Sequence, residues 1–192
     1  MFNLASQEKD KDTPLLVNEL NIKNLRSEIE IIRDAVSDNL KKYDITIPKT
    51  IDLEISHHYG IENFYKCGTC MITLVNKDYC KKILYQFPKQ EHPEHYHKLK
   101  EETFILLEGD LEVKLEGKDH ILSKGDMLTI EVGKKHSFYS KSGAIFEEIS
   151  TEHHTDDSYY TDKNINLNKM SGKIKAKNSA KEEGKRGGRK GR

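Results

Sequence analysis

Apolar positions near the start of the chain recur with the period of a helix. Leu25, Ile29, Ile32, Val36 and Leu40 stand four, three, four and four residues apart. That spacing places them on one face and predicts an amphipathic helix over 22–42. Asn21 suits its N-cap. Asn24 stands three residues on, where a capping box would need Glu or Gln. From Thr50 the pattern changes to short runs rich in β-branched and aromatic residues, broken by Gly, Asn, Asp and Pro. These runs predict strands near 51–56, 69–76, 79–87, 94–98, 102–108, 110–116, 119–122, 127–131, 135–140 and 144–150, an all-β sandwich or barrel. Glu108-Gly109-Asp110 and Glu116-Gly117-Lys118 both read as tight hairpins.

The ends read differently. Residues 1–13 are polar and expected to be disordered. Residues 168–192 hold ten Lys or Arg against two Glu, so a segment of charge +8 balances a body of charge −8 in a neutral 192-residue chain. This segment is also expected to be disordered. The division that follows is a disordered 1–13, a helical extension 14–49, a barrel 50–167 and a basic tail 168–192. The tail can contact a polyanion such as nucleic acid, but no aromatic residue interleaves its charges for base stacking. A flexible, solubilising end is the simpler expectation.

No apolar run approaches the roughly 18 residues of a membrane span, and Met1 to Asp10 lack a basic-then-apolar signal. A cytoplasmic protein without membrane contact is expected. Three cysteines, Cys67, Cys70 and Cys80, make no disulfide framework. Cys67 and Cys70 form a CxxC without a second pair nearby, so buried free thiols are expected rather than a zinc knuckle.

The chemistry concentrates in two segments. His95 and His97 are one residue apart, so on a strand both imidazoles face the same side. Glu102 lies an odd number of positions beyond His97, so residues 98–100 must turn for it to join them. Gly125 and Gly133 suit turns with unusual dihedrals, and His136 follows three residues after Gly133. His95, His97, Glu102 and His136 can thus close around one divalent ion. Three nitrogens and one oxygen suit Mn, Fe, Co, Ni or Zn. Four protein ligands on a six-coordinate ion leave two positions open, as catalysis requires. His57, His58, His92, His120, His153 and His154 lack ligand spacing. His92 precedes Pro93 and is expected in a turn.

The two segments fit HxH-x4-E-x6-G and G-x7-G-x2-H, and resemble the paired metal-binding motifs of the cupin superfamily, a small double-sheet β-barrel of the jelly-roll type. Glu131 stands where the second motif usually has proline, and Ser140 where it usually has asparagine. Residues beyond the ligands narrow the resemblance. Lys100 lies between His97 and Glu102. The barrel ends on Phe146-Glu147-Glu148-Ile149-Ser150-Thr151, followed by Asp156, Asp157 and Tyr160-Thr161-Asp162. Residues 75–82 read Val-Asn-Lys-Asp-Tyr-Cys-Lys-Lys. Over roughly 68–166 the chain is similar to the D-lyxose ketol-isomerase family. That likeness implies metal binding by His95, His97, Glu102 and His136, commonly of manganese, with Lys100 and Glu148 at the sugar. The block Ile55-Ser56-His57-His58-Tyr59-Gly60 also resembles cupin modules associated with sialic acid synthase-like proteins, which need not be isomerases.

Glu148 shares a strand face with Phe146 and Ser150 and can point inward as a general base, with Glu147 outward. Lys100 can stabilise charge on an enediolate oxygen. His57, Tyr59, Phe104, Phe138 and Tyr160 are the expected substrate contacts. Three functions compete: a sugar isomerase, a non-catalytic sugar-binding cupin of nonulosonic-acid or surface-polysaccharide synthesis, and an iron-dependent dioxygenase. The partners expected are a small sugar and a second copy of the chain in a homodimer, with 14–60 contributing to the interface.

Overall fold

The computed structural model describes residues 13–167 and 172–177. A long helix α1 (Thr13–Lys42) precedes β1 (Leu53–His57), β2 (Gly68–Asn76), β3 (Tyr79–Gln86), β4 (Gln90–Tyr96), β5 (Glu102–Gly109), β6 (Leu111–Leu115), β7 (Lys118–Leu122), β8 (Met127–Ile130), β9 (His136–Ser140) and β10 (Ala144–Thr151). After these come β11 (Tyr159–Tyr160), a short helix α2 (Lys163–Leu167) and β12 (Gly172–Ala176). The strands form two antiparallel sheets, ordered β12-β1-β2-β3-β10-β5-β8 and β11-β4-β9-β6-β7. No helix among the described residues is long and apolar enough to cross a membrane.

Strand alternation divides the larger sheet between two cores. Met71, Leu84, Phe104, Phe146 and, from the facing sheet, Val113 and Phe138 fill the barrel. Cys70, Ile72, Ile83, Tyr85 and Ile145 face outward, where Ile32, Val36 and Leu40 of α1 cover them. Burying each of those three helix side chains contributes about 1.5–3 kcal/mol. Leu25, on the same predicted stripe, is exposed. The three cysteines are free and buried, as expected.

The ten predicted strands are present, with four differences around them. First, α1 begins at Thr13, so Asn21 lies inside the helix and is not its cap. Second, the basic segment contains β12. Lys173, Lys175 and Lys177 alternate with Ile174 and Ala176, and that alternation suffices for an edge strand once Ile174 and Ala176 reach the outer core. β12 pairs along the whole of β1, from Leu53↔Ala176 to His57↔Gly172. The remainder of the predicted tail and residues 1–12 lie outside the described residues.

Third, Glu116-Gly117 does form the two-residue turn of the β6–β7 hairpin, both with positive φ. Glu108-Gly109-Asp110 does not: β5 and β6 belong to different sheets, and Gly109 is the corner between them. At φ +88°, a Cβ on Gly109 would stand 1.9 Å from the Gly143 carbonyl oxygen. Gly109→Ala should therefore cost upwards of about 2 kcal/mol through left-handed strain and backbone collision. Urea unfolding will measure it, and a cost under half that would show that the corner relaxes. Fourth, His92 lies within β4 and not in a turn.

Candidate metal centre and active site

The four candidate ligands come from three strands and the turn that follows one of them. His95 of β4 pairs directly with His136 of β9, and His97 follows β4. Glu102 opens β5, with Ser150 of β10 and Ile130 of β8 as its neighbours. Their ligand atoms lie within 4.8 Å of one another, and all four residues are buried. Each imidazole is oriented by its backbone. The Nδ1 of His95 lies 3.0 Å from the Pro93 carbonyl, that of His97 2.6 Å from the Asp157 carbonyl, and that of His136 3.1 Å from the Lys134 carbonyl. An Nδ1–H donating to each carbonyl leaves the Nε2 lone pair free, the tautomer a metal needs.

The Nε2 atoms of His136 and His97 stand 2.8 and 3.4 Å from Glu102 Oε1. Yet His97 Nε2, His136 Nε2 and Glu102 Oε1 are buried without a hydrogen-bond partner. Lone pairs converging on one point, unsatisfied by each other, fit a divalent cation. Burial holds His95 neutral, well below its ordinary pKa, with His136 and His97 adding to the effect. For Glu102, burial opposes ionisation, but the Lys100 charge beside it outweighs burial and holds the carboxyl well below its usual range. His95 and Glu102 therefore both stand in the form that binds a metal.

The turn that brings Glu102 back to the imidazoles is built by Asp157. Its carboxylate accepts hydrogen bonds from the backbone N–H of Lys98, Leu99 and Lys100 at 2.9, 3.0 and 3.1 Å. Burial would raise its pKa; the three donors prevail and keep it lowered. Through the same residue's carbonyl, Asp157 also fixes His97. An Asp157→Asn variant should bind manganese(II) about tenfold more weakly by calorimetry. Unchanged affinity would mean that the turn holds itself.

Beside the ligands lies a buried ionic group. Glu148 points inward as expected, and Glu147 points outward to Lys81 at 2.8 Å. Lys100 Nζ bridges Glu102 Oε2 at 2.5 Å and Glu148 Oε1 at 2.9 Å. Lys82 Nζ donates to the same Glu148 oxygen at 2.8 Å. All four residues line one cavity with His95 and His97. Burial pushes the Glu148 carboxyl up, but Lys100 and Lys82 together pull it below its ordinary value. Burial likewise works against the Lys100 charge, and Glu148 and Glu102 more than restore it.

Sequence reasoning did not single out Lys82. The β3–β10 register sets it opposite Glu148, and that pairing is the signal. It also missed His92. The β4–β9 register shifts between His92 and His95, so a bulge at Pro93-Glu94 turns both imidazoles inward although they are three residues apart. His92 lies flat on Phe138, ring centroids 4.6 Å apart, and at the same distance from His95. His153, half-buried, lines the cavity as well.

Of the expected substrate contacts, Phe104, Phe138 and Tyr160 line the cavity, and His57 and Tyr59 do not. His57 shares the strand face of Leu53 and Ile55, which pack toward α1, and leaves the inward position to Ser56. Tyr59 instead donates its hydroxyl to Asp162 at 2.5 Å.

Residues 84–150 match the cupin domain family. The chain carries a cupin domain. The cupin barrel has counterparts among solved structures. The L-ribose isomerase of Geodermatophilus obscurus superposes with a TM-score of 0.63 at 13% identity, over 76% of this chain and 96% of that one. The Cellulomonas parahominis L-ribose isomerase, solved with L-psicose, gives 0.63 at 12%, over 76% and 96%. A cupin-superfamily sugar phosphate isomerase from Silicibacter pomeroyi gives 0.50 at 23%, over 59% and 78%. At such identities the likeness is one of fold. No curated protein matches the sequence.

Proposed function

We propose that this cupin is a metal-dependent aldose–ketose isomerase of the D-lyxose ketol-isomerase type, with manganese as the first metal to try. The observation that carries the reading is Glu148, a buried carboxylate lining the same cavity as the ligand cluster, with a lysine on either side. An inward carboxylate in an apolar barrel is costly unless it serves a purpose. The sugar isomerases that share the fold support the choice of chemistry.

His95, His97, Glu102 and His136 would hold the ion, which when bound supplies Lewis acidity toward the oxygens of the reacting carbons. In the open-chain aldose, C1 is the carbonyl and C2 carries hydrogen and hydroxyl. Glu148, ionised because Lys82 and Lys100 favour its charge, takes the proton from C2. The C2–H electron pair becomes the C1–C2 double bond, and the carbonyl pair moves onto O1. Lys100, buried beside Glu148, donates to the developing oxyanion. Glu148 then returns its proton to C1, and a proton passes from O2 to O1, giving the ketose with no change in overall composition. Low basicity is the cost of two ammonium partners. Substrate oxygens relieve it by taking over the hydrogen bonds of Lys82 and Lys100.

Incubation of the manganese-loaded protein with aldoses and ketoses, including D-lyxose, D-xylulose, L-ribose and D-mannose, tests the reading. Conversion of at least one is expected. Conversion of none overturns it. Binding without turnover would favour a sugar-sensing module, and oxygen consumption by the ferrous protein a dioxygenase.

A further inference from the structure

The cavity has a second polar wall. On the inward face of the larger sheet, Lys173 of β12, Ser56 of β1 and Thr69 of β2 stand in one cross-strand row, and all three line the cavity. The row is displaced along the barrel from the ionic group: Thr73, four residues beyond Thr69 on the same strand, is the one level with Lys82. From the facing sheet, His92 closes the wall against Phe138.

Two atoms here lack what every buried polar group needs. Thr69 Oγ1, on a residue with no exposed surface, and His92 Nδ1 have no hydrogen-bond partner. Valine would fill the space of Thr69 without an unmet hydroxyl and with equal preference for a strand. Charge at this wall is balanced, because Lys173 pairs with Glu54 at 3.0 Å. The unmet needs are therefore those of neutral hydrogen-bonding atoms. A sugar hydroxyl donates once and accepts as well, so one such group can serve a threonine hydroxyl and an imidazole nitrogen together.

We infer that Thr69 and His92 form a specificity-determining subsite for a substrate hydroxyl away from the reacting carbons, with Ser56 and Lys173 at its edge. The inference rests on the isomerase reading only for the class of ligand, a polyhydroxylated chain. Sites that hydrogen-bond a hydroxyl discriminate strongly against analogues lacking it, because their own buried groups are then left unpaired. Chain length and configuration at that hydroxyl should decide which sugar is accepted.

The test compares the full-length, manganese-loaded wild type with Thr69→Val and His92→Phe, the latter keeping the stack on Phe138. Ribitol, D-arabitol, xylitol and the shorter erythritol are titrated by calorimetry. The wild type should prefer one pentitol. Each variant should lose about tenfold in affinity for it and little for erythritol, with manganese content unchanged. The melting temperature of Thr69→Val should equal or exceed that of the wild type, whereas a merely structural threonine would lower it. Pentitol affinities within twofold of wild type in both variants overturn the subsite. If the selective loss appears but no sugar is converted, the subsite stands and the isomerase reading falls. If a sugar is converted with unchanged KM in both variants, the reverse holds. A wild type that binds neither polyol nor sugar overturns both.

Discussion

Glu148→Gln should reduce isomerisation by about three orders of magnitude, the usual worth of a positioned acid–base group, while manganese content and sugar affinity stay near wild type. The substitution preserves shape and one acceptor oxygen but removes the site proposed to carry the proton between carbons. Lys82 and Lys100 both donate to Oε1, so an amide oxygen in that position keeps their contacts; buried Lys82 loses its carboxylate, so the melting temperature should fall by several degrees while the barrel stays folded. Measuring kcat together with sugar binding separates this outcome from simple loss of the pocket. A variant retaining more than a tenth of wild-type turnover would rule out proton transfer by Glu148 and leave a hydride shift between C1 and C2. Turnover in deuterium oxide gives an independent answer. A proton carried on a carboxyl exchanges with solvent and labels the product carbon; a hydride does not.

Lys100→Met should be the most destabilising single change near the centre. Lys100 is buried and bridges two buried carboxylates. Its loss leaves Lys82 to serve Glu148 and leaves Glu102 with no cation. Removing one member of a buried ionic group costs about 3–5 kcal/mol, because the surviving charge is stranded. For a chain of this size that is a fall of roughly 10 °C in melting temperature. The cost should be greatest in chelator. Added manganese restores a cation to Glu102 and, by binding only the folded state, recovers part of the loss. Equal melting temperatures for variant and wild type in chelator would show that the carboxylates are neutralised by protonation instead.

Much of this was legible in the chain. Alternation marked ten strands, and the spacing of His95, His97, Glu102 and His136 marked a site whose atoms the fold brings within 4.8 Å. Parity also turned Glu148 inward. What escaped the sequence depends on relations between distant strands. His92 faces inward through a bulge, and parity counted from His95 sends it the wrong way. Lys82 matters because register sets it opposite Glu148. His57 and Ser56 exchange roles for want of a phase for β1. Gly109 looked like a hairpin because a corner between sheets uses the same residue types as a tight turn. β12 was hidden by composition: two apolar residues among lysines carry weight only when a neighbouring strand and a helix await them.

That last strand bears on how the molecule is made. Ile32, Val36 and Leu40 reach their final surroundings only with Ala176 and Ile174 in place, so residues near the start wait for residues some 140 positions later. Contacts of such long range slow folding. On the ribosome, α1 emerges early with its apolar stripe uncovered, and the edge of β1 stays unpaired until synthesis passes residue 176. Nascent chains halted before that point should need chaperone protection, and those extended beyond it should not.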